Sequence, residues 1–334
     1  MAGRRTNLAL LILLGLAFAT GALAFAVGTG WSRLPVVLHG VVALAIVLLA
    51  PWKSVIAKRG VKRRRRGTVT SIAFTVIVTI ALVFGVLHST GLAMGIGPLS
   101  SMQVHVGAAL VALPLALWHV IVRRIRVHRT DVARRQLLRS AALMGGAATV
   151  YAATEGIVHA ASLPGADRRF TGSFERGSGD PDAMPVTQWL NDSIPEIDPA
   201  SWRLVVRGSE ERSYPLEELA AFGDRVVATL DCTGGWYAEQ EWGGVRLSRL
   251  IDDVGDFRSV VVTSATGYKR RFSVDVLDDL YLAVDVGGAV LSAGHGVPAR
   301  LVAPGRRGFW WVKWVESIEL DAVPAWLQLP FPPS

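Results

Sequence analysis

The residue with the clearest chemical potential is the single cysteine, Cys232. It ends a strand-like run and is followed by the segment TGGW, and glycines at a strand exit let a ligand approach the backbone closely. A lone cysteine can also be a small apolar core residue, so two interpretations are open on spacing alone. One cysteine excludes a disulfide scaffold and a cysteine-ligated zinc or iron–sulfur site.

Four histidines, His39, His88, His105 and His119, fall in apolar stretches, where an ionisable residue is costly and often functional. His105 and His119 are 14 residues apart and share a helix face to within about 40°, but no other histidine lies at the level of His119. The pattern predicts one b-type haem, with His105 and either His39 or His88 as axial ligands of the iron. Alternatively, these histidines contact lipid headgroups or one another.

Five apolar stretches are long enough to cross a bilayer, which takes about 20 helical residues. They are Leu8–Val27, Pro35–Ala50, Thr68–His88, Val104–Val122 and Leu137–Ala160. The basic blocks Lys58–Arg66 and Arg123–Arg139 alternate with nearly uncharged connections. The positive-inside rule therefore predicts five spans in the cell membrane of a prokaryote, a cytoplasmic N-terminus and an extracytoplasmic C-terminal domain. A cleaved signal peptide is the alternative for the first stretch.

The charge distribution supports two unlike halves. The chain of 334 residues has a net charge of +8, a mean hydropathy of +0.38 and 19% charged residues. Residues 1–160 carry +16 and residues 161–334 carry −8. The basic residues lie in short blocks between apolar stretches, so they predict membrane topology and no nucleic-acid partner.

The C-terminal half changes to short strand-like runs separated by turn residues. The predicted strands lie in WRLVVRG, RVVATLDC, SVVVTSATGY, ARLVAPG and WVKWVESIEL, and the helical candidates are Pro215–Phe222 and Val245–Val254. The predicted domains are an all-α membrane domain over 1–160, a linker over 161–184 rich in glycine, serine, aspartate and proline, and a mixed α+β domain over 185–334.

The motifs DCTGGW, EWGGVRLSRLI and HGVPARLVAPGRRGFWWVKWVESIEL together resemble the molybdopterin-binding domain of the sulfite oxidase family. The resemblance runs from about Pro185 to Leu320. It implies a molybdenum ion held by a pterin dithiolene and by one protein thiolate, and Cys232 matches that ligand. A soft thiolate suits such a metal.

The same resemblance implies residues that bind the pterin and its phosphate, for which donors to anionic oxygens are suited. These are His295, Arg300, Trp311, Val312 and Lys313. Upstream, a loop with basic, hydroxyl and glycine residues is a further candidate for anion binding, with a plain linker as the alternative. Its candidate residues are Arg169, Thr171, Gly172 and Ser173.

The sequence departs from the sulfite-oxidising members of the family. Leu190 and Asp192 stand where those members have an arginine and a histidine, and Val284, with Tyr281 nearby, stands where they have a tyrosine. A dianionic substrate would meet a carboxylate where it needs cations. Sulfite oxidation is therefore not the expected activity.

The segment RRQLLRSAALMGGAA, which begins with Arg134 and Arg135, is similar to a twin-arginine export signal placed before the fifth span. The alternative is that both arginines serve only the positive-inside pattern. Export of a folded domain would suit a cofactor that is inserted in the cytoplasm.

These features predict a membrane-bound molybdenum oxidoreductase that transfers an oxygen atom on a small oxo-compound and exchanges electrons with a quinone or another membrane carrier. Reduction is favoured by analogy with the periplasmic methionine-sulfoxide reductase of the family, which pairs a molybdenum subunit with a haem-bearing membrane subunit. The alternatives are an enzyme with a haem-free anchor and a non-catalytic membrane module that keeps the fold.

Overall fold

The computed structural model describes residues 2–62, 67–122, 128, 131, 133–189 and 192–331. Parts of both basic blocks, and Leu190, lie outside the described residues. The chain divides into two compact units, Met1–Phe174 and Glu175–Ser334. The first is helical and the second is a mixed α/β unit, which confirms the predicted fold class. The division falls within the residues predicted as a linker.

Five long helices make up most of the first unit. They are α1 (Ala2–Ala26), α2 (Arg33–Lys62), α3 (Thr68–Thr90), α4 (Ser101–Val122) and α5 (Arg134–Ala160). All five are long and apolar enough to cross a membrane. Helix α2 is longer than predicted because it continues through Pro51, which removes only one helical hydrogen bond.

The helices pack in pairs. Helix α1 packs against α2, α3 against α4, and α5 against α2. The short strands β1 (Gly95–Ile96) and β2 (Leu99–Ser100) form an antiparallel hairpin between α3 and α4. A two-pronged ion pair joins Arg4 to Asp131 at 2.5 and 2.7 Å, so the start of α1 lies at the same end of the bundle as the chain before α5.

The helical unit buries few of its apolar side chains. One small cluster lies where α1, α2 and α5 meet, and consists of Leu13, Val41, Val42, Ala45 and Ala147. In the most apolar window of each helix no more than 17% of residues are buried. Helices that are apolar all round and face outward need a non-aqueous environment, which agrees with the predicted spans.

The second unit begins with β3 (Phe174–Glu175), which straddles the division, and contains two sheets. The other elements are β4 (Arg203–Arg207), β5 (Glu211–Pro215), α6 (Leu216–Ala221), β6 (Asp224–Cys232), β7 (Trp236–Arg246), β8 (Ser259–Ser264), β9 (Lys269–Ser273), β10 (Tyr281–Val286), β11 (Ala289–Val290), β12 (Arg300–Val302) and β13 (Val315–Asp321). One sheet has the order β5-β4-β13-β8-β9. In the other, β7 and β12 both pair with β10, and β6 pairs with β7.

The predicted helix over Val245–Val254 is wrong. Val245 and Arg246 end strand β7, and the chain then makes only a short 3-10 turn at Leu247–Arg249. Strand β7 pairs with β6 over nine residues, so cross-strand pairing overrides a local apolar pattern that cannot by itself separate a strand from a helix. The helix predicted near Pro215–Phe222 is present as α6.

Candidate functional site

Cys232 lies at the end of β6, where the chain turns into β7. It pairs with Trp236 across the hairpin, and Gly235 in the turn has a φ of 90°, which favours glycine. The thiol is buried, and the Gly234 amide donates to its sulfur over 3.4 Å. Burial raises the pKa of the Cys232 thiol, so its thiolate form needs a metal or a cation beside it.

A buried ion pair fixes the backbone at this thiol. Arg307 Nη1 donates to Asp231 Oδ1 over 2.6 Å, and the two side chains are 3% and 4% exposed. Arg307 Nη2 also donates to the Cys232 carbonyl over 3.3 Å. A Cβ on Gly308 would lie 3.1 Å from the Cys232 Cα, so glycine allows the two segments to approach. Beyond the position of Asp231 next to the cysteine, the sequence holds no signal for this pair.

His295 and Arg300 line the same cleft as the thiol. The His295 amide donates to the hydroxyl of Ser292, and its Nε2 lies 3.1 Å from the Met184 carbonyl oxygen. Arg300 is 1% exposed and donates from Nη1 to the His295 carbonyl. Its Nε has no partner among the described residues. Burial lowers the pKa of Arg300 to about 9, and such a cation is stabilised by an anion placed beside it.

Lys313 also lines the cleft and donates to three acceptors. Its Nζ lies 2.6 Å from the Gly294 carbonyl, 2.8 Å from the Thr187 carbonyl and 3.2 Å from Gln188 Oε1. Burial, assisted by the charge of Arg300, lowers the pKa of Lys313 to about 7. An ammonium group has three donors, so Lys313 holds two segments of the cleft wall in place.

Trp311 and Val312 have different environments. Trp311 lines the cleft, packs its ring 5.5 Å from that of Trp242 and donates from Nε1 to the Arg306 carbonyl. The Val312 side chain is fully buried in the core, and its carbonyl accepts from the Leu301 amide over 2.7 Å. Val312 thus anchors the strand-like segment that presents its two neighbours to the cleft.

The cleft holds about 670 Å³ of empty space, part of which is open solvent. One part of its lining consists of the residues implied by the family motif. These are Cys232, His295, Arg300, Trp311 and Lys313. The remainder includes residues to which the motif assigned no role, namely Trp189, Asp192, Ser264, Tyr268 and Phe309.

Three aromatic side chains form a wall of this cleft. The Trp189 ring lies 6.4 Å from the Tyr268 ring and 5.8 Å from the Phe309 ring. The Tyr268 hydroxyl donates to the Phe309 carbonyl. Tyr281 instead packs under Arg246. Tyr268 is therefore the tyrosine that lines the cleft. In the sequence it is marked by its position after β8, in a turn that reads TGY.

The candidate anion loop lies at the end of the first unit and folds on itself. The Arg169 amide donates to the Ser173 carbonyl over 2.9 Å, and the Gly172 amide donates to the Arg169 carbonyl over 2.8 Å. Thr171 and Ser173 are buried. His88 Nε2 donates to the Gly172 carbonyl over 2.9 Å, so this loop receives a histidine predicted as a haem candidate.

His39 and His105 face each other in the helical unit, and we call them the imidazole pair. Their ring centres are 5.7 Å apart and their planes are at 84°. A metal–nitrogen bond is about 2 Å long, so two imidazoles on opposite sides of one ion have centres roughly 6 Å apart. The separation therefore suits coordination of one ion by both rings.

Each ring of the imidazole pair is held in the same way. His39 Nδ1 donates to the Ala17 carbonyl over 3.0 Å, and His105 Nδ1 donates to the Ala81 carbonyl over 2.7 Å. Four residues after each alanine is a glycine, and a Cβ there would lie 3.0 Å from the ring. A repeated Ala-x-x-x-Gly element thus supports both rings and leaves each Nε2 lone pair available to a metal.

His88 and His119 have other partners. The His88 ring packs edge-on against Phe174 at 5.1 Å as well as binding the loop. His119 Nδ1 lies 3.2 Å from Ser71 Oγ, and its ring is 5.7 Å from Phe74. Of the two partners predicted for His105, the structure brings His39 to it.

Comparisons with known proteins agree with the motif. The family of oxidoreductase molybdopterin binding domains matches residues 191–325. Mitochondrial sulfite oxidase of Mus musculus is 25% identical over 39% of this chain and 31% of its own length. NADH nitrate reductase of Brassica napus is 26% identical over 38% of this chain and 18% of its own length. The chain thus spans less than a third of the length of either relative.

A solved structure is also similar to part of this chain. The sulfane dehydrogenase SoxCD of Paracoccus pantotrophus is 27% identical over 39% of this chain and 40% of its own, with a TM-score of 0.37. The family match and the motif around the buried thiol both fall on the second unit. Residues 191–325 of this chain match the oxidoreductase molybdopterin binding domain, and the relatives to which the chain is similar include a sulfite oxidase.

Proposed function

We propose that this protein is a membrane-bound molybdenum oxidoreductase that removes an oxygen atom from a small oxo-compound. The observation that carries the proposal is the cleft in which the Cys232 thiol lies with His295, Arg300 and Lys313. A scaffold has no need of a buried thiol among buried cations, which are stabilised by an anionic occupant.

The residues of the cleft fit a molybdopterin cofactor. Cys232 would supply the protein thiolate, and the buried cation Arg300, with Nε unpartnered among the described residues, would donate to anionic groups of the cofactor. His295 and Trp311 would bound the pterin, and Lys313 would keep the wall in place. When bound, the molybdenum supplies two-electron redox chemistry coupled to oxygen-atom transfer.

The proposed reaction is a reduction, in which an oxo-compound XO takes up two electrons and two protons and yields X and water. A quinol in the membrane would supply both electrons and be oxidised to the quinone. Asp192 in the cleft lining disfavours oxidation of a dianion such as sulfite, which supports this direction.

The imidazole pair would carry these electrons by binding one haem b. Two ring nitrogens are too few for a bare metal site, and no group of three or more potential metal ligands occurs among the described residues. A porphyrin brings four further nitrogen ligands, so a pair of histidines completes its iron. The backbone carbonyls that accept from each Nδ1 are the usual outer partners of a ligating histidine.

The five apolar helices would span the cell membrane of a prokaryote, with the N-terminus in the cytoplasm and the cleft outside. Arg134 and Arg135 are exposed in the first turn of α5, where an export machinery could recognise a twin-arginine pair. Replacing both by lysine keeps the charge, so the double variant should retain its spans and lose access of external protease to the C-terminal domain. Unchanged digestion in spheroplasts would refute this export route.

The metal and cofactor content of the purified protein distinguishes this proposal from two alternatives. A haem-free anchor would give molybdenum and pterin without reducible b-type absorption bands, and a non-catalytic module would contain no molybdenum. Metal and pterin analysis with a reduced-minus-oxidised spectrum tests all three. We expect one molybdenum, one pterin and one haem b per chain.

Cys232→Ser tests the metal ligand directly. A serine oxygen is a harder and poorer ligand for this metal, and the change removes little packing. We expect oxo-compound reduction to fall to background while the unfolding temperature of the protein is preserved. Wild-type turnover in this variant would exclude Cys232 as the ligand.

A further inference from the structure

Asp192 places a negative charge in the cleft lining, where it acts through space on Lys313 and Tyr268. One carboxylate oxygen accepts from the Ser193 amide over 3.1 Å, and no basic side chain pairs with Asp192 in the part of the chain that the structure describes. A carboxylate without a counter-ion repels anions and attracts cations that enter the same cavity. This charge therefore acts on whatever small molecule enters the cleft.

The aromatic wall is linked to this carboxylate. The Asp192 amide donates to the Trp189 carbonyl over 2.7 Å, so this hydrogen bond holds the two residues together. Trp189 then contacts Tyr268 and Phe309, and the latter two are joined by the hydrogen bond of the tyrosine hydroxyl. Aromatic faces beside a carboxylate are the combination that binds substituted ammonium groups.

Among the described residues no cation of the cleft forms an ion pair with Asp192, and Lys313 interacts with its charge only through space. Lys313 donates to three protein acceptors, and Arg300 donates to the His295 carbonyl. Both belong to the part of the cleft that we assign to the anionic cofactor. A further cation, Arg270, stacks on Trp310 at 3.9 Å and also lies 5.4 Å from the centre of the Phe309 ring, although it does not itself line the cleft among the described residues.

We infer that Asp192 and the aromatic wall select the substrate, and that the cleft takes organic oxo-compounds bearing a substituted ammonium group while rejecting inorganic oxyanions. This inference rests on the proposed reductase function, since it names the substrate class of the same site. The ammonium group would lie on the ring faces of Trp189, Tyr268 and Phe309, with the Asp192 carboxylate as its counter-ion.

Binding can be measured without turnover. Calorimetric titration of the purified, cofactor-loaded protein would use three probes that share one ring: benzyltrimethylammonium, benzyl alcohol and benzenesulfonate. We expect the cation to bind most tightly and the anion most weakly. Asp192→Asn should weaken cation binding about 10- to 100-fold, as expected for loss of a charged partner, and Trp189→Leu should weaken it as well.

Asp256→Asn is the matched control, because it makes the same change at an exposed loop position and should leave all three affinities unchanged. Equal affinities for the cation and the anion, or an unchanged affinity in Asp192→Asn, would overturn the inference. Turnover of neutral dimethyl sulfoxide and of a sulfoxide that bears a trimethylammonium group, each with a reduced viologen dye, tests the reductase proposal separately. Cation binding without turnover of either sulfoxide would support the selectivity and contradict the reductase, whereas turnover without cation binding would do the reverse.

Discussion

His39 and His105 lie in the helical unit with each Nδ1 bonded to a backbone carbonyl, whereas the buried Arg300 and the half-buried Lys313 lie in the cleft as cations with lowered pKa values. Helices can offer a carbonyl to a side chain without losing their fold, so the imidazole pair is satisfied by the protein alone. The cleft instead accumulates positive charge, which an anionic occupant would stabilise. Under the proposed function, the two regions would therefore bind different cofactors.

We expect the largest effect from removing one ring of the imidazole pair. We expect His39→Ala or His105→Ala to abolish haem binding, because either change removes one of two iron ligands. His88→Ala is the matched control, since His88 binds the Gly172 carbonyl instead, and it should retain haem. Pyridine haemochrome analysis of the purified variants measures this, and equal haem in all three would contradict the assignment.

Near the cleft, we expect the largest loss of unfolding free energy when the buried ion pair of Arg307 and Asp231 is broken. Arg307→Met leaves the Asp231 carboxylate buried without its partner, which costs about 3–5 kcal/mol of unfolding free energy. Arg225→Met breaks an exposed pair with Glu241 and should cost about 1 kcal/mol or less. Denaturant unfolding followed by tryptophan fluorescence compares them. Similar losses of unfolding free energy in both variants would show that the buried pair stabilises the protein no more than the exposed pair does.

The positive charge of the cleft should also make the stability of the cofactor-free protein depend on pH. The pKa of Lys313 is about 7 in the folded protein and 10.5 ordinarily, so between pH 7 and 8 the unfolded chain binds more protons at this residue. The stability of the metal-free protein should therefore rise with pH in this window, by at most about 1.4 kcal/mol per pH unit.

Lys313→Met should remove that rise, whereas Lys269→Met, an exposed lysine on β9, should keep it. Thermal unfolding of the metal-free variants at several pH values is the measurement. A wild-type slope in Lys313→Met would mean that another group causes the pH dependence.

The smallest expected effect concerns Gly21, the glycine that lies against the His39 ring of the imidazole pair. Gly21→Ala places a methyl 3.0 Å from the His39 ring, and Gly15→Ala, on the same helix, meets nothing within 4 Å. Both gain similar helix propensity. We expect Gly21→Ala to shift the haem absorption bands or midpoint potential and Gly15→Ala to leave them unchanged. Identical haem spectra in the two variants would show that Gly21 does not support the His39 ring.

Much of the site could be predicted from the sequence because its signals are local. The apolar stretches predict the five helices, since length and hydropathy are properties of contiguous residues. The glycine exit after Cys232 and the block containing His295, Arg300 and Lys313 predict the cofactor part of the cleft. Strand β7 escapes prediction because it is stabilised by its partner β6, which no local window contains.

The sequence by itself determined that the chain has two unlike halves, which residues could ligate a metal, and that one unit belongs to a molybdopterin-binding family. Only the tertiary structure showed that the His39 ring lies beside the His105 ring, and that Trp189, Tyr268 and Phe309 share a wall. Only it showed that Arg307 pairs with the aspartate beside the thiol. These relations join residues distant in sequence, and packing, not periodicity, brings them together.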